Sequence, residues 1–136
     1  MVDVNTLIYQ PSQIDRLRTL TTNLSHEEDL LLRLAEECPD MLCVIDDTRH
    51  LAYVSHACQY VLETAPEELI DHYFYTLIYP DDIKITTKIL NALELSKITR
   101  FCSRCITKFG NVVQMEWMAV LSTDGNIYAS ARFMPD

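Results

Sequence analysis

Val112-Val113-Gln114-Met115-Glu116-Trp117-Met118-Ala119-Val120-Leu121 is the stretch on which the fold turns. Successive side chains of an extended chain point to opposite faces. Val113, Met115, Trp117, Ala119 and Leu121 therefore share one face, and Gln114, Glu116 and Met118 share the other. That pattern is a strand with one side in a core. Two further strands flank it, Thr99–Thr107 and Asn126–Phe133, joined through Lys108-Phe109-Gly110-Asn111 and Ser122-Thr123-Asp124-Gly125. Turns of this kind need a residue that accepts a left-handed backbone, and each contains one of the two glycines of the chain. A three-stranded meander is expected.

Working outward from the meander, the chain becomes helical. Pro80-Asp81-Asp82 is a helix start, with proline in the first turn and acids where the helix dipole favours them. The helix that follows, Ile83–Leu95, carries Ile85, Ile89, Leu90 and Leu93 on one broad face. Thr64-Ala65-Pro66-Glu67-Glu68 is a second such start, and a short helix runs from Ser55 or His56 to Leu62. Before these, Met41–Ile45 and Leu51–Val54 form a hairpin around Asp46-Asp47-Thr48-Arg49. Strands and helices come in separate runs, which predicts an α+β fold rather than a parallel βαβ sheet.

From Pro11 to about Glu37 the period is helical, with Leu17, Leu24, Leu31 and Cys38 spaced seven apart and Leu20, Glu27 and Leu34 between them. Ser25-His26-Glu27-Glu28 resembles a capping box. Either one helix with a weak centre or two helices broken near Asn23–Ser25 fits this pattern. The segment is an amphipathic helix packed on its own domain or a dimerising helix. Cys38-Pro39-Asp40 ends it, because proline disfavours helix in the residue before it. Residues 1–38 are thus expected to be a helical extension and residues 39–136 a single domain.

Composition removes several functions. Twenty acids against eleven bases give a net charge of −9, which argues against phosphate-driven nucleic-acid binding and against docking on anionic membranes. Residues 1–100 hold 17 acids and 8 bases, whereas residues 101–136 hold three of each. Two glycines cannot build a glycine-rich phosphate loop. The apolar runs fall short of the roughly 18 residues that span a bilayer, and the first residues lack signal-peptide character. A cytoplasmic protein is expected, with most of its five cysteines as free thiols packed as small hydrophobes.

The ordered motifs resemble those of a PAS domain over about residues 39–133. Pro39-Asp40 with the apolar strand ending in Asp46 is similar to the opening of that family. Leu51-Ala52-Tyr53-Val54-Ser55 resembles its second strand, with Ser55 where Asn is usual. Ala65-Pro66-Glu67-Glu68-Leu69-Ile70 and Leu77-Ile78-Tyr79-Pro80-Asp81-Asp82 are similar to its helix starts, Tyr79 replacing a frequent His. Lys108-Phe109-Gly110-Asn111 followed by a strand with Trp117 completes the set. The resemblance implies a five-stranded antiparallel sheet with short helices over one face and a cavity between them. It also implies a non-catalytic signalling module that senses a small ligand or mediates homodimerisation, the alternative being a pure protein–protein interaction module with a filled core. Phe133-Met134-Pro135 stand where relatives with an output domain usually carry Asp-Ile-Thr. Output through the N-terminal helix, as a homodimer or with a signalling partner, is therefore expected.

Phe74, Leu77, Ile89, Phe101, Met115, Trp117 and Ala129 are the candidate cavity lining, with Ile78, Cys105, Ala119 and Ala131 beside them. Small alanines near Phe101 and Trp117 leave room for a ligand whose identity the residues do not specify. The long helix lacks the histidine that haem-binding members use. His26, His50, His56 and His72 are expected in solvated turns and helix ends. Asp71–Leu77 lacks the cysteine of the light-sensing flavin subgroup, and nothing favours a non-covalent flavin. Cys102 and Cys105 lie three apart in a strand, so their sulfurs point to opposite faces and suit neither a metal nor a redox pair. The paired acids Asp46-Asp47, Glu67-Glu68 and Asp81-Asp82 are expected to cap backbone amides.

Overall fold

The computed structural model describes residues 33–134. Residues 33–37 are helical. The rest of the expected N-terminal helix, with its leucine repeat and the capping box at Ser25, lies outside the described residues.

Five strands form one antiparallel sheet. They are β1 (Met41–Ile45), β2 (Leu51–Val54), β3 (Thr99–Ile106), β4 (Val112–Leu121) and β5 (Ile127–Phe133), in the spatial order β2-β1-β5-β4-β3. The hairpin and the meander meet where β5 pairs with β1, from Met41 opposite Ala131 to Ile45 opposite Ile127. Between β2 and β3 come α1 (Cys58–Val61), α2 (Pro66–Leu69), a 3-10 turn over Phe74–Leu77, and α3 (Pro80–Asn91). Gly110 and Gly125 close the meander turns at φ of 87° and 88°.

The core lies between the sheet and these helices. Met115, Trp117 and Ala119 of β4 face it, as do Ile127, Ala129 and Ala131 of β5. A bulge between Val44 and Ile45 changes the register of β1 on β2, so that Leu51 pairs with Ile45 and Val54 with Cys43, both facing the core. Tyr53, opposite Val44, falls on the outer face, where the two are buried in a separate cluster with Tyr128.

Two expectations for the long helix are corrected. It stops at Asn91 rather than Leu95, because the chain must turn back toward the sheet: Ser96 adopts φ 60° and donates its N–H to the Leu121 carbonyl at the end of β4. Its buried face consists of Thr86 and Leu90 with Ile83 and Ile89 partly covered, while Ile85 is 57% exposed. Thr86 serves as a core residue because its hydroxyl bonds both the Asp82 carbonyl and Ser103 on β3.

Residues 71–79 bond to both outer strands of the sheet. At β2, Asp71 N–H donates to Leu51 O at 2.7 Å and Leu51 N–H to His72 O at 2.8 Å; in the turn before it, Arg49 O accepts from Phe74 N–H at 2.7 Å. On β3, Tyr79 N–H donates to Arg104 O at 2.9 Å, and Ile78 bridges Cys105.

Candidate functional site

Trp117 is the centre of the inner face. Its strand register sets it between Phe101 on β3 and Ala131 on β5. Phe101 stacks on the indole with ring centroids 6.1 Å apart, and Phe74 meets it edge-on at 5.5 Å. One register step along, Ala119 pairs with Ala129, and Ala129 with Cys43, so a row of small side chains follows a row of large ones. Of the expected lining, Phe74, Leu77, Phe101, Met115, Trp117 and Ala129 are buried in the core, and Ile89 packs partly buried against it. Trp117 Nε1 is fully buried and has no hydrogen-bond partner among the described residues, nor has Tyr75 Oη. An unmet indole N–H of this kind costs about 1–3 kcal/mol, and it can only donate.

The titratable groups near the core are held neutral. Burial pushes the thiols of Cys43, Cys58 and Cys105 up to about 12. All five cysteines are unpaired. Cys102 is exposed and Cys105 buried, the opposite orientation that a strand dictates. Among the described residues no cluster of three metal-ligating side chains occurs, and no helix is long and apolar enough to cross a membrane.

Glu36, in the helical residues 33–37, is buried against the turn after β2. Its Oε1 accepts from the His56 backbone N–H at 3.1 Å and lies 2.6 Å from His56 Nδ1. Its Oε2 is buried with no partner among the described residues. Desolvation raises the Glu36 carboxyl to about 7, and burial holds the His56 imidazole below its ordinary value. His50 and His72 are exposed as expected; His56 is the exception.

On the opposite face of the sheet is an apolar groove of about 340 Å³, lined by Leu42, Val44, Tyr53, Met118, Val120 and Tyr128, with Ala35 and Ile98 contributing from outside the sheet. Of the expected cavity residues, Ala119 and Ala129 border it.

Solved structures of the same architecture span the described domain. One is the PAS domain of an HTR-like protein from Haloarcula marismortui, with TM-score 0.70 and 17% identity over 82% of this chain and 100% of that one. A domain of a sensory box sensor histidine kinase/response regulator from Geobacter sulfurreducens has TM-score 0.70 and 22% identity, covering 82% and 98%. A PAS domain from Colwellia psychrerythraea has TM-score 0.67 and 18% identity, covering 77% and 97%. The fold is that of a PAS domain. No family model and no curated protein matches the chain.

Within the PAS fold of this chain, two of the three acid pairs do more than cap backbone amides. Asp46 does cap, its Oδ1 accepting from the N–H groups of Thr48 and His50. Glu68 instead pairs with Lys108 at 2.9 Å. Asp82 clamps α3 to β3: it accepts from Arg104 Nε at 2.9 Å, from Nη2 at 2.6 Å and from the Arg104 backbone N–H at 2.8 Å. The guanidinium also lies over the Tyr79 ring, 4.7 Å from its centroid. These bonds hold the Asp82 carboxyl below the usual carboxylate range. Asp82→Ala is expected to lower Tm by a few degrees, because it strips three hydrogen bonds from one strand residue. Glu68→Ala, which removes a more exposed pair, should leave Tm almost unchanged. Equal Tm values for the two variants in a thermal melt would show the clamp to be idle.

Proposed function

We propose that this chain is a non-catalytic PAS signalling module that takes a small apolar or aromatic molecule with a hydrogen-bond acceptor in its core. The buried, unpartnered Nε1 of Trp117 carries this reading, because a ligand acceptor would satisfy a donor that the protein leaves unmet. Similar structures include domains of sensor histidine kinases, which supports a place in signal transduction. The thiols of Cys43, Cys58 and Cys105, pushed up to about 12, support a core without a cysteine nucleophile. Unpaired cysteines suit the cytoplasm. The acidic chain favours neither nucleic acid nor membrane as partner. Pairing of two copies through the helix over residues 11–37 completes the reading, with ligand binding shifting the geometry of the pair.

Native mass spectrometry and an absorption spectrum of the purified full chain test it. A retained small-molecule mass, reduced by Trp117→Phe, is expected. A colourless protein with no retained mass supports the second reading, an interaction module with a filled core, which the direct contacts of Phe74 and Phe101 with Trp117 favour. For the pair, sedimentation at tens of micromolar should give a dimer that Leu24→Glu and Leu31→Glu weaken. A monomer at that concentration overturns this part.

A further inference from the structure

We propose that Glu36 is a proton-controlled latch: its carboxyl holds residues 33–37, the end of the expected N-terminal helix, against the turn after β2, and loss of its proton loosens that hold. This goes beyond the core reading above, and it needs neither a ligand nor a second copy. The burial of the segment points to it. Of residues 33–37 only Glu36 is buried, at 2% exposure, whereas Leu34 is 63% exposed. An apolar anchor would hold at any pH; a carboxyl holds only while its burial is tolerated.

Two oxygens with different surroundings set the condition. Oε1 lies against the backbone N–H and Nδ1 of His56, while Oε2 is buried with no partner among the described residues. A neutral carboxyl accepts from the N–H and can donate its own proton to Nδ1. An ionised one has no proton to donate and spreads its charge onto the unmet Oε2, so the carboxylate gains by moving out into water. The titratable neighbours are Cys58 of α1, which feels the Glu36 charge, Cys43 of β1, which acts on Cys58, and Glu67 of α2, which acts on both His56 and Cys58. Arg33 and Glu37 are the other charged residues of the segment. The carboxyl sits at about 7 when docked and returns to its ordinary 4.5 when released, so raising the pH from 6 to 8 weakens the hold about ten-fold. His56 works in the opposite sense, because burial holds its imidazole below 6.5, and between pH 6 and 6.5 it offsets at most about three-fold.

Hydrogen exchange of the isotope-labelled full chain, read by NMR at pH 6 and pH 8 and divided by the intrinsic rate of each amide, tests the latch at the His56 N–H, whose acceptor is Glu36. Its protection should fall about three- to ten-fold between the two pH values. Low guanidinium should leave exchange at His56 unchanged and speed it at Trp117 on β4, inside the sheet, because opening of residues 33–37 alone exposes little surface. In Glu36→Gln, which keeps the shape and cannot ionise, His56 protection should not fall. Equal protection of the wild type at both pH values overturns the proposal, as does a fall that persists in Glu36→Gln. The same guanidinium slope at His56 and Trp117 also overturns it, since the carboxyl would then act only on global stability. A His56 amide without protection at pH 6 overturns it as well, because the latch would already be open.

Discussion

Trp117→Ala is expected to cost about 3–5 kcal/mol of stability, the range for removing a large buried aromatic side chain. Small domains hold about 5–15 kcal/mol in total, so this variant should be partly unfolded in mild denaturant. The reason lies in the register. Trp117 is fully buried, stacked on Phe101 and met edge-on by Phe74. Its cross-strand neighbour on β5 is Ala131, too small to collapse into the space that the indole leaves. Tyr60→Ala removes an aromatic ring that is 79% exposed, and it should change stability by no more than about 0.5 kcal/mol. Guanidinium unfolding followed by circular dichroism compares the two. Similar midpoints would mean that Trp117 is not the centre of the core.

A second large effect depends on pH. Glu36→Gln should stabilise the protein by a margin that grows between pH 4.5 and about 7 and then levels off. The folded carboxyl sits at about 7, above its ordinary 4.5, because burial disfavours the charge. Below pH 4.5 it is protonated in both folded and unfolded chains, and no penalty applies. Between the two values the folded chain keeps a proton that the unfolded chain has lost, so its stability falls as pH rises. The full shift corresponds to about 3 kcal/mol. Glutamine should recover about 2 kcal/mol of it, since its own amide donors need partners.

His56 acts in the opposite sense. Its imidazole is held below 6.5 by burial, although Glu67 favours its charged form. Its contribution is present above pH 6.5 and lost as pH falls through its lowered value. The wild-type profile is therefore shallow where the two oppose. The Cys58 thiol, which also feels Glu36, stays neutral throughout because it titrates at about 12. Comparing Glu36→Gln with wild type in a His56→Asn background separates the carboxyl from the imidazole that it touches at 2.6 Å. A difference that is the same at pH 5 and pH 8 would show that Glu36 ionises normally.

The strands were legible because their side chains alternate: the expected bounds of β1, β2 and β4 are those observed. The inner-face residues followed from the same alternation. What escaped was whatever depends on contacts distant in sequence. Asp82 looks like a helix-dipole acid, yet its partner is Arg104. Glu36 lies 20 residues from His56, and nothing in either neighbourhood signals the pair. Tyr53 reads as an ordinary strand residue until the extra residue Ala52 of β2, opposite the step from Val44 to Ile45, sets its face. Glycine counting also has a limit. Arg49, Glu63, Asp71 and Ser96 all take positive φ without being glycine, and at Asp71 and Ser96 the N–H bonds a distant carbonyl, that of Leu51 and of Leu121.

The segment over residues 71–79 has a consequence for how the module associates with others. A sheet edge with free backbone groups is a template for strand addition and aggregation. Here one short stretch of chain bonds Leu51 of β2 and Arg49 just before it, then crosses to β3 and bonds Arg104. None of its backbone bonds reaches the first part of β3, Thr99–Ser103. Arg100, exposed in that stretch, sets a charge where an incoming strand would have to lie. Strand addition at Arg49, Leu51 or Arg104 would first have to displace residues 71–79.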